Sequence, residues 1–319
     1  MADVSIVIVS WNTRDALERC LASVDATVST RSVQTVVVDN ASGDGSAAMV
    51  RARFPHVRVL VSDTNVGFGR ASNLGVAASD GRAVLLLNSD CELAHGALAI
   101  LAAALDADDA LGAVFPRLTN PDGTLQPSVH DRLPSPRSYV ADVAFGASLR
   151  YALYRTAWLK RWLLRGQVRR HAQAHDVAWG GAACVLVRRA AFDAVGGFDP
   201  RFFMYMEDVD LCAELARAEY RLRYVPDATV RHQWGASTSK DPASMVRHAY
   251  ESRVAYFAKH HPGWRAALTR RLALVELSVR VLTFSALGRV TGRASLGARA
   301  ASSAACRAAL SAAQPKRSR

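Results

Sequence analysis

Cysteine is scarce in this sequence and poorly spaced for cross-linking. The chain of 319 residues has five, Cys20, Cys91, Cys184, Cys212 and Cys306, an odd number with no Cys-x-x-Cys among them. That spacing argues against a disulfide framework or a zinc finger and for reduced thiols in a cytoplasmic protein. Long apolar runs are also missing. Leu272 to Leu287, the most apolar C-terminal stretch, is broken by Glu276 and Arg280, and no segment approaches the ~20 residues of a bilayer span. The Met-Ala-Asp start lacks the basic region and cleavage site of a secretory signal. There is no internal repeat. Ser10-Trp11-Asn12-Thr13-Arg14 follows the first apolar run where a dinucleotide-binding domain needs Gly-x-Gly-x-x-Gly. Acidic residues are nearly absent from the end of the chain: residues 245–319 carry 14 basic and 2 acidic side chains, against 26 of each before them. The net charge of +12 is thus a property of the tail, which suits an anionic surface. The neutral body gives no reason to expect nucleic acid as a partner.

What remains is ordinary globular material, 50% hydrophobic and 21% charged, enough for two domains or one large α/β domain with an appendage. β-branched and apolar runs predict strands at Val4–Val9, Thr35–Val38, Val57–Val61 and Ala83–Leu87. Helical periodicity predicts helices at Thr13–Val24, Ser46–Phe54 and Gly69–Ala78. Strands alternating with helices predict a mainly parallel sheet, and polar residues directly after the strands mark its carboxyl edge as the ligand crevice. Beyond Pro116 the pattern loosens into the turn Asn120-Pro121-Asp122-Gly123 and a Pro/Ser-rich loop to Pro136, long enough for a binding lid. Leu149 to Arg170 is rich in Arg, Leu, Tyr and Trp with no acid. A further strand is predicted at Arg221–Val225. From Ser244 onward the chain reads as helices.

Three acidic positions and one histidine have the right company for chemistry. Asp39 ends an apolar strand, where a carboxylate accepts hydrogen bonds from a nucleobase or ribose; a turn role before Asn40-Ala41-Ser42-Gly43 is the equal alternative. Asp90 follows Asn88-Ser89 at a strand end, a place for a hard divalent cation shared with diphosphate oxygens, although a turn role is commoner for such a residue. Glu207, Asp208 and Asp210 follow the apolar run Phe202–Met206. Apolar surroundings and like charges raise a carboxyl pKa, which suits a general base, whereas acids at a helix N-terminus also serve as simple caps. His232 is either a metal ligand or a structural histidine.

Read in order, Val-Ser-Ile-Val-Ile-Val-Ser-Trp-Asn from Val4, Val38 to Ser42, Asn65 to Asn73, Asn88-Ser89-Asp90 and Gly197 to Asp210 resemble glycosyltransferase family 2. Within it, the likeness is to bacterial rhamnosyltransferases of cell-wall linker and polysaccharide assembly. The resemblance implies a GT-A fold, a nucleotide-diphosphate sugar donor, Mg²⁺ or Mn²⁺, and inversion at the anomeric carbon. Carried over by position, Ser10, Trp11, Asn12, Asp39, Asn65, Gly67, Arg70 and Ser89 line the nucleotide site. Asp90 and His232 hold the metal, Asn88 standing where the family's Asp-x-Asp motif has its first acid. Asp208 is the base, and Trp179, Gly180, Gly181 and Glu207 shape the acceptor pocket. The expected donor is dTDP-rhamnose, with a UDP-hexose as the alternative, and the expected acceptor is a lipid-linked glycan such as polyprenyl-diphosphate-GlcNAc. A basic membrane-surface or nucleic-acid-binding protein without catalysis is the reading from another class. Residues 1–240 are expected to form the GT-A domain and 241–319 a basic helical extension, frayed over about its last 20 residues. The extension is expected at the inner face of the plasma membrane; packing on the GT-A domain or pairing of two copies is its alternative use.

Overall fold

In the computed structural model, which describes residues 2–27, 32–144, 166, 168–233, 241–261 and 263–312, the β-branched runs become the strands that their spacing predicts. Val4–Ser10 (β1), Val33–Asp39 (β2), Arg58–Val61 (β3) and Ala83–Asn88 (β4) pair in parallel, in the order β3-β2-β1-β4. Arg14–Thr27 (α1), Ser46–Arg53 (α2) and Phe68–Ala77 (α3) connect them. Ile6, Ile8, Val37, Leu85 and Leu87 face one layer of core, while Val7, Val84 and Leu86 face the other. The sheet is buried on both sides, so continuous apolar strands are required. Gly75 lies so close to the side chain of Val7 that any Cβ would overlap it, which seats α3 tightly on β1.

The sheet continues through strands whose direction the sequence does not announce. Cys91–Leu93 (β5), Ala97–Asp106 (α4) and Leu111–Thr119 (β6) come next, the last running through Pro116, where the sequence pattern loosens. Leu125–Gln126 (β7) and Val129–His130 (β8) occupy the expected lid. His175–Asp176 (β9), Trp179–Gly180 (β10) and Cys184–Arg188 (β11) follow, and β11 inserts antiparallel between β4 and β6. After Arg189–Ala194 (α6) and Glu207–Arg217 (α7), the strand predicted at Arg221–Val225 extends to His232 (β12). It pairs in parallel with β6 across a register shift between Val225 and Thr229, and antiparallel with β5. The full order is β3-β2-β1-β4-β11-β6-β12-β5. This is the mainly parallel α/β architecture expected for a GT-A fold.

The chain divides into two compact units, Met1–Leu133, Arg161–Phe203 and Glu207–Ser239 against Pro134–Lys160, Met204–Met206 and Lys240–Arg319. In the second, Pro136–Ala144 (α5) is followed by Pro242–His260 (α8), Trp264–Thr291 (α9) and Ala294–Ala312 (α10). Asp241 caps α8 by accepting from the Ser244 N–H at 3.1 Å, with Pro242 in the first turn. Glu276, which interrupts the apolar stretch of α9, accepts from Tyr139 O–H at 3.1 Å and lies 3.7 Å from the Arg253 guanidinium. Helix α10 buries Ala300, Ser303, Cys306 and Leu310, so helix persists through most of the segment expected to fray. Of the basic segment 149–170, only 166 and 168–170 are among the described residues.

Candidate active site

The carboxyl ends of β1, β2 and β4 are tied into one edge by short side chains. Ser10 Oγ lies 2.9 Å from Thr13 Oγ1, which lies 2.8 Å from Ser89 Oγ, a buried chain of hydroxyls. Asn12, at φ 55°, presents Oδ1 to the Gly43 N–H at 2.7 Å, and its own N–H donates to Ser42 Oγ at 2.9 Å. Asp39 is buried, and its Oδ1 accepts from the Ser42 N–H at 2.9 Å. The turn role open to Asp39 is therefore filled by one oxygen of its carboxylate. Trp11 sits half-buried beside these residues in sequence.

The Asn65–Asn73 segment holds two other loops. Asn40 Nδ2 donates to Asn65 Oδ1 at 2.8 Å, and Asn40 Oδ1 accepts from the Val66 N–H at 2.9 Å. Gly67, at φ 87°, packs flush against the Phe203 carbonyl, where any Cβ would overlap. The Phe68 N–H donates to that carbonyl at 2.9 Å. Asn73 brackets Phe198 like a strand partner, accepting from its N–H at 3.0 Å and donating to its carbonyl at 2.8 Å. Arg70 Nε donates to the Pro200 carbonyl at 2.9 Å. The glycine-containing motif thus docks loop 198–203, which leads into the acidic helix α7.

Asp90 and His232 are brought together by β5 and β12, where His232 pairs with Cys91. His232 Nε2 lies 3.3 Å from Asp90 Oδ1, with both side chains under 9% exposed. Nδ1 of the same ring lies 2.7 Å from Gln126 Oε1. Ligand atoms of Asp90, Cys91 and His232 fall within 4.8 Å of one another. Burial pushes the Cys91 thiol well above its ordinary pKa, and it donates to the Ala183 carbonyl at 3.2 Å. The donors facing the site are a carboxylate oxygen and an imidazole nitrogen, a set that fits Mg²⁺ or Mn²⁺ completed by diphosphate oxygens. Asn88 ends β4, its N–H donating to Ala183 O at 2.8 Å.

On the other side of Ala183 stands the acidic turn of α7. Asp208 is half-buried; Oδ1 accepts from the Val209 N–H at 2.8 Å and Oδ2 from the Ala182 N–H at 3.4 Å. Burial raises its pKa against the opposing pull of those backbone donors, and Phe115, Val185, Leu211 and Leu215 supply the apolar wall behind it. Glu207 is buried, and its Oε2 has no hydrogen-bond partner among the described residues. Burial, then the Asp208 charge, raise its pKa well above the ordinary value. Tyr205 and Met206, at φ 67° and 66°, lead into this turn through two successive left-handed residues, a strained approach of the kind concentrated at functional sites. Gly180 packs against the Phe115 ring, the Gly181 N–H donates to Ser128 O at 2.9 Å, and Trp179 stacks on His130 at 4.0 Å between centroids.

Residues 5–196 match the profile of Glycosyl transferase family 2, and residues 147–293 that of Glycosyl transferase family group 2. The N-acetylglucosaminyl-diphospho-decaprenol L-rhamnosyltransferase of Mycobacterium tuberculosis is 35% identical over 292 residues, 88% of this chain and 92% of its own. The chain belongs to glycosyltransferase family 2. Among solved structures of this fold, a mannosyltransferase from Pyrobaculum calidifontis in complex with GDP-Man and Mn²⁺ has a TM-score of 0.55 at 19% identity, covering 99% of this chain and 76% of that one. GalNAc-T7 with UDP, GalNAc and Mn²⁺ has a TM-score of 0.54 at 16% identity, covering 81% and 50%. The GT-A edge of this glycosyltransferase carries residues that sequence reasoning passes over: Thr13 inside the hydroxyl chain, Asn40 and Asn73 as loop clamps, and Gln126 on the histidine. Asn40 and Asn73 lie inside the motifs that carry the family resemblance, without a role of their own there; Thr13 and Gln126 lie outside them.

Proposed function

We propose that this enzyme transfers rhamnose from dTDP-rhamnose to a GlcNAc-diphospho-polyprenol, with inversion. The observation that carries the rhamnosyl and acceptor assignment is the 35% identity, over nearly the whole of both chains, to the mycobacterial enzyme named as an N-acetylglucosaminyl-diphospho-decaprenol L-rhamnosyltransferase; the dTDP donor and inversion are what the family resemblance implies. In this reading Asp39 accepts from the pyrimidine base, and Ser10, Trp11, Asn12, Asn65, Gly67, Arg70 and Ser89 build the nucleotide edge. Asp90 and His232 would hold Mg²⁺ or Mn²⁺, which would supply charge neutralisation at the leaving diphosphate. Asp208 takes the proton of the acceptor hydroxyl as its oxygen attacks the anomeric carbon. The bond from that carbon to the diphosphate oxygen breaks, and its electron pair leaves with the nucleoside diphosphate. Attack opposite the leaving group inverts the centre. Trp179, Gly180, Gly181 and Glu207 shape the acceptor pocket.

Residues 1–240 form the catalytic domain in this reading, and 241–319 an extension lying on the inner membrane face. Trp264, Val275, Val279, Leu282 and Val290 of α9 are all exposed, and at 3.6 residues per turn they fall within an arc of roughly 80°. Exposed Arg271 and Arg289 line one edge of that stripe. Among the described residues no helix is long and apolar enough to cross a membrane, and the stripe supports a helix lying in the interface. The test of the reaction is nucleoside diphosphate release from dTDP-, UDP- and GDP-sugars with polyprenyl-diphosphate-GlcNAc as acceptor. Release from dTDP-rhamnose that depends on the acceptor is expected; turnover of a UDP-hexose alone would replace the donor assignment.

A further inference from the structure

The turn Asn120-Pro121-Asp122-Gly123 plays no part in the reaction described so far, yet it ends one residue chain that begins at His232. Thr124 Oγ1 lies 2.6 Å from Asp122 Oδ1, Asn120 Nδ2 lies 2.9 Å from Thr124 Oγ1, Gln126 Nε2 lies 3.1 Å from Asn120 Oδ1, and His232 Nδ1 lies 2.7 Å from Gln126 Oε1. The direction of every bond in this series follows from its far end. A carboxylate only accepts, and a hydroxyl has one proton. Thr124 gives that proton to Asp122 and must accept from Asn120 Nδ2. The amide of Asn120 then turns its oxygen to Gln126, which donates through Nε2 and turns its own oxygen to His232. An amide oxygen cannot donate, so Nδ1 carries a ring hydrogen, and in the neutral ring the Nε2 lone pair faces Asp90.

The backbone keeps the series in place. Gln126 pairs with Leu118 of β6, the Asn120 N–H donates to Thr124 O at 2.8 Å, the Gly123 N–H donates to Asn120 O at 2.9 Å, and Gly123 takes φ 79°. We propose that Gln126, oriented by the Asn120–Asp122–Thr124 turn, is a positioning residue that fixes the tautomer of His232 and so presents Nε2 to a divalent cation shared with Asp90. The proposal rests on the cation reading above. It assigns the loop after β6 to the cation site, in addition to the lid role that its length suggests.

The test uses the full chain with Mn²⁺ alone, titrated by water-proton relaxation, in wild type, His232→Ala, Gln126→Met, Gln126→Glu and the Gln126→Met/His232→Ala double variant. Gln126→Met, which keeps the shape and loses the acceptor, is expected to weaken binding about 10–100-fold, the usual cost of removing a partner that orients a metal ligand. Gln126→Glu loses the bond to Asn120 but still accepts from Nδ1, and is expected to stay within a few-fold of wild type. In the His232→Ala background, Gln126→Met should add nothing. Equal losses for Met and Glu, or an undiminished Met effect in the double variant, would reduce Gln126 to a loop brace and overturn the proposal. If His232→Ala leaves Mn²⁺ binding unchanged, the cation reading falls and the proposal with it; if His232→Ala weakens binding and Gln126→Met does not, the proposal alone falls. Independently of any variant, ¹⁵N spectra of histidine-labelled wild type read the tautomer of the neutral ring. A His232 with its hydrogen on Nε2 contradicts the assignment.

Discussion

Glu207 is a carboxylate whose burial works against the fold. The folded chain holds its proton to higher pH than the unfolded chain does, because burial and the Asp208 charge raise its pKa. The group therefore leaves stability untouched at low pH and lowers it as pH climbs above the ordinary carboxylate range. Glu207→Gln is expected to melt above wild type at pH 8, each kcal/mol regained being worth roughly 2–4 °C in a unit of this size. The difference should close as the pH falls through the carboxylate range, which thermal unfolding across pH will show. The same substitution should slow transfer, the pattern of a group retained for function at a cost in stability. Asp208→Asn removes the proposed base and should leave donor binding intact while cutting single-turnover transfer by about 10²–10⁴-fold. Because burial raises the Asp208 pKa, the acid limb of the wild-type rate profile should lie above the usual aspartate range. An acid limb at or below that range would argue for another base.

Helix α3 and loop 198–203 meet through Gly67, which carries two demands that Gly45 does not. Gly45 takes φ 81°, ψ 14°, the left-handed region, with nothing within 4 Å of a Cβ, whereas Gly67 takes φ 87°, ψ 168°, a region essentially closed to other residues, and has backbone against it as well. Gly45→Ala should cost about 1–2 kcal/mol, the penalty of a left-handed L-residue. Gly67→Ala must also push loop 198–203 aside, so chemical denaturation should find it clearly the less stable, with impaired transfer. Elements of this N-terminal half are legible because each strand and helix carries its own period. Strand β11 is as apolar as β4, but an apolar run has no arrow, and its antiparallel insertion is settled by partners far along the chain. Asp90 and His232, the proposed metal ligands, were legible singly by residue type and as a pair only through the family resemblance, since they meet through β5–β12 registration. Gln126 lies on a two-residue strand, too short for any periodicity, and its orientation depends on three side chains acting in series, Asp122, Thr124 and Asn120.

Charge is distributed at the scale of the whole molecule, with 26 basic and 26 acidic residues up to residue 244 and 14 against 2 after it. A basic residue near an anionic bilayer contributes ~1 kcal/mol, and the exposed stripe of α9 adds apolar contact. The full chain is expected to co-sediment with anionic vesicles, less so as salt rises because screening shortens the reach of the charges. Val279→Asp/Leu282→Asp should weaken that binding without unfolding the chain, since both residues are exposed. Binding that ignores both salt and these substitutions would rule out α9 as the contact.

The two-residue segment Ala182-Ala183 has a consequence for how such an enzyme diversifies. The Ala182 N–H donates to Asp208, and the Ala183 carbonyl accepts from the Asn88 N–H and the Cys91 thiol. In the proposed mechanism the separation of donor and acceptor sides is therefore a matter of a few covalent bonds just before β11. One inserted residue there would shift β11 against β4 and turn its side chains to the opposite faces. Insertion and deletion, the ordinary route by which surface loops diverge, are closed at this point. A descendant with a new donor or acceptor must arrive by substitution on either flank, with the length between them unchanged.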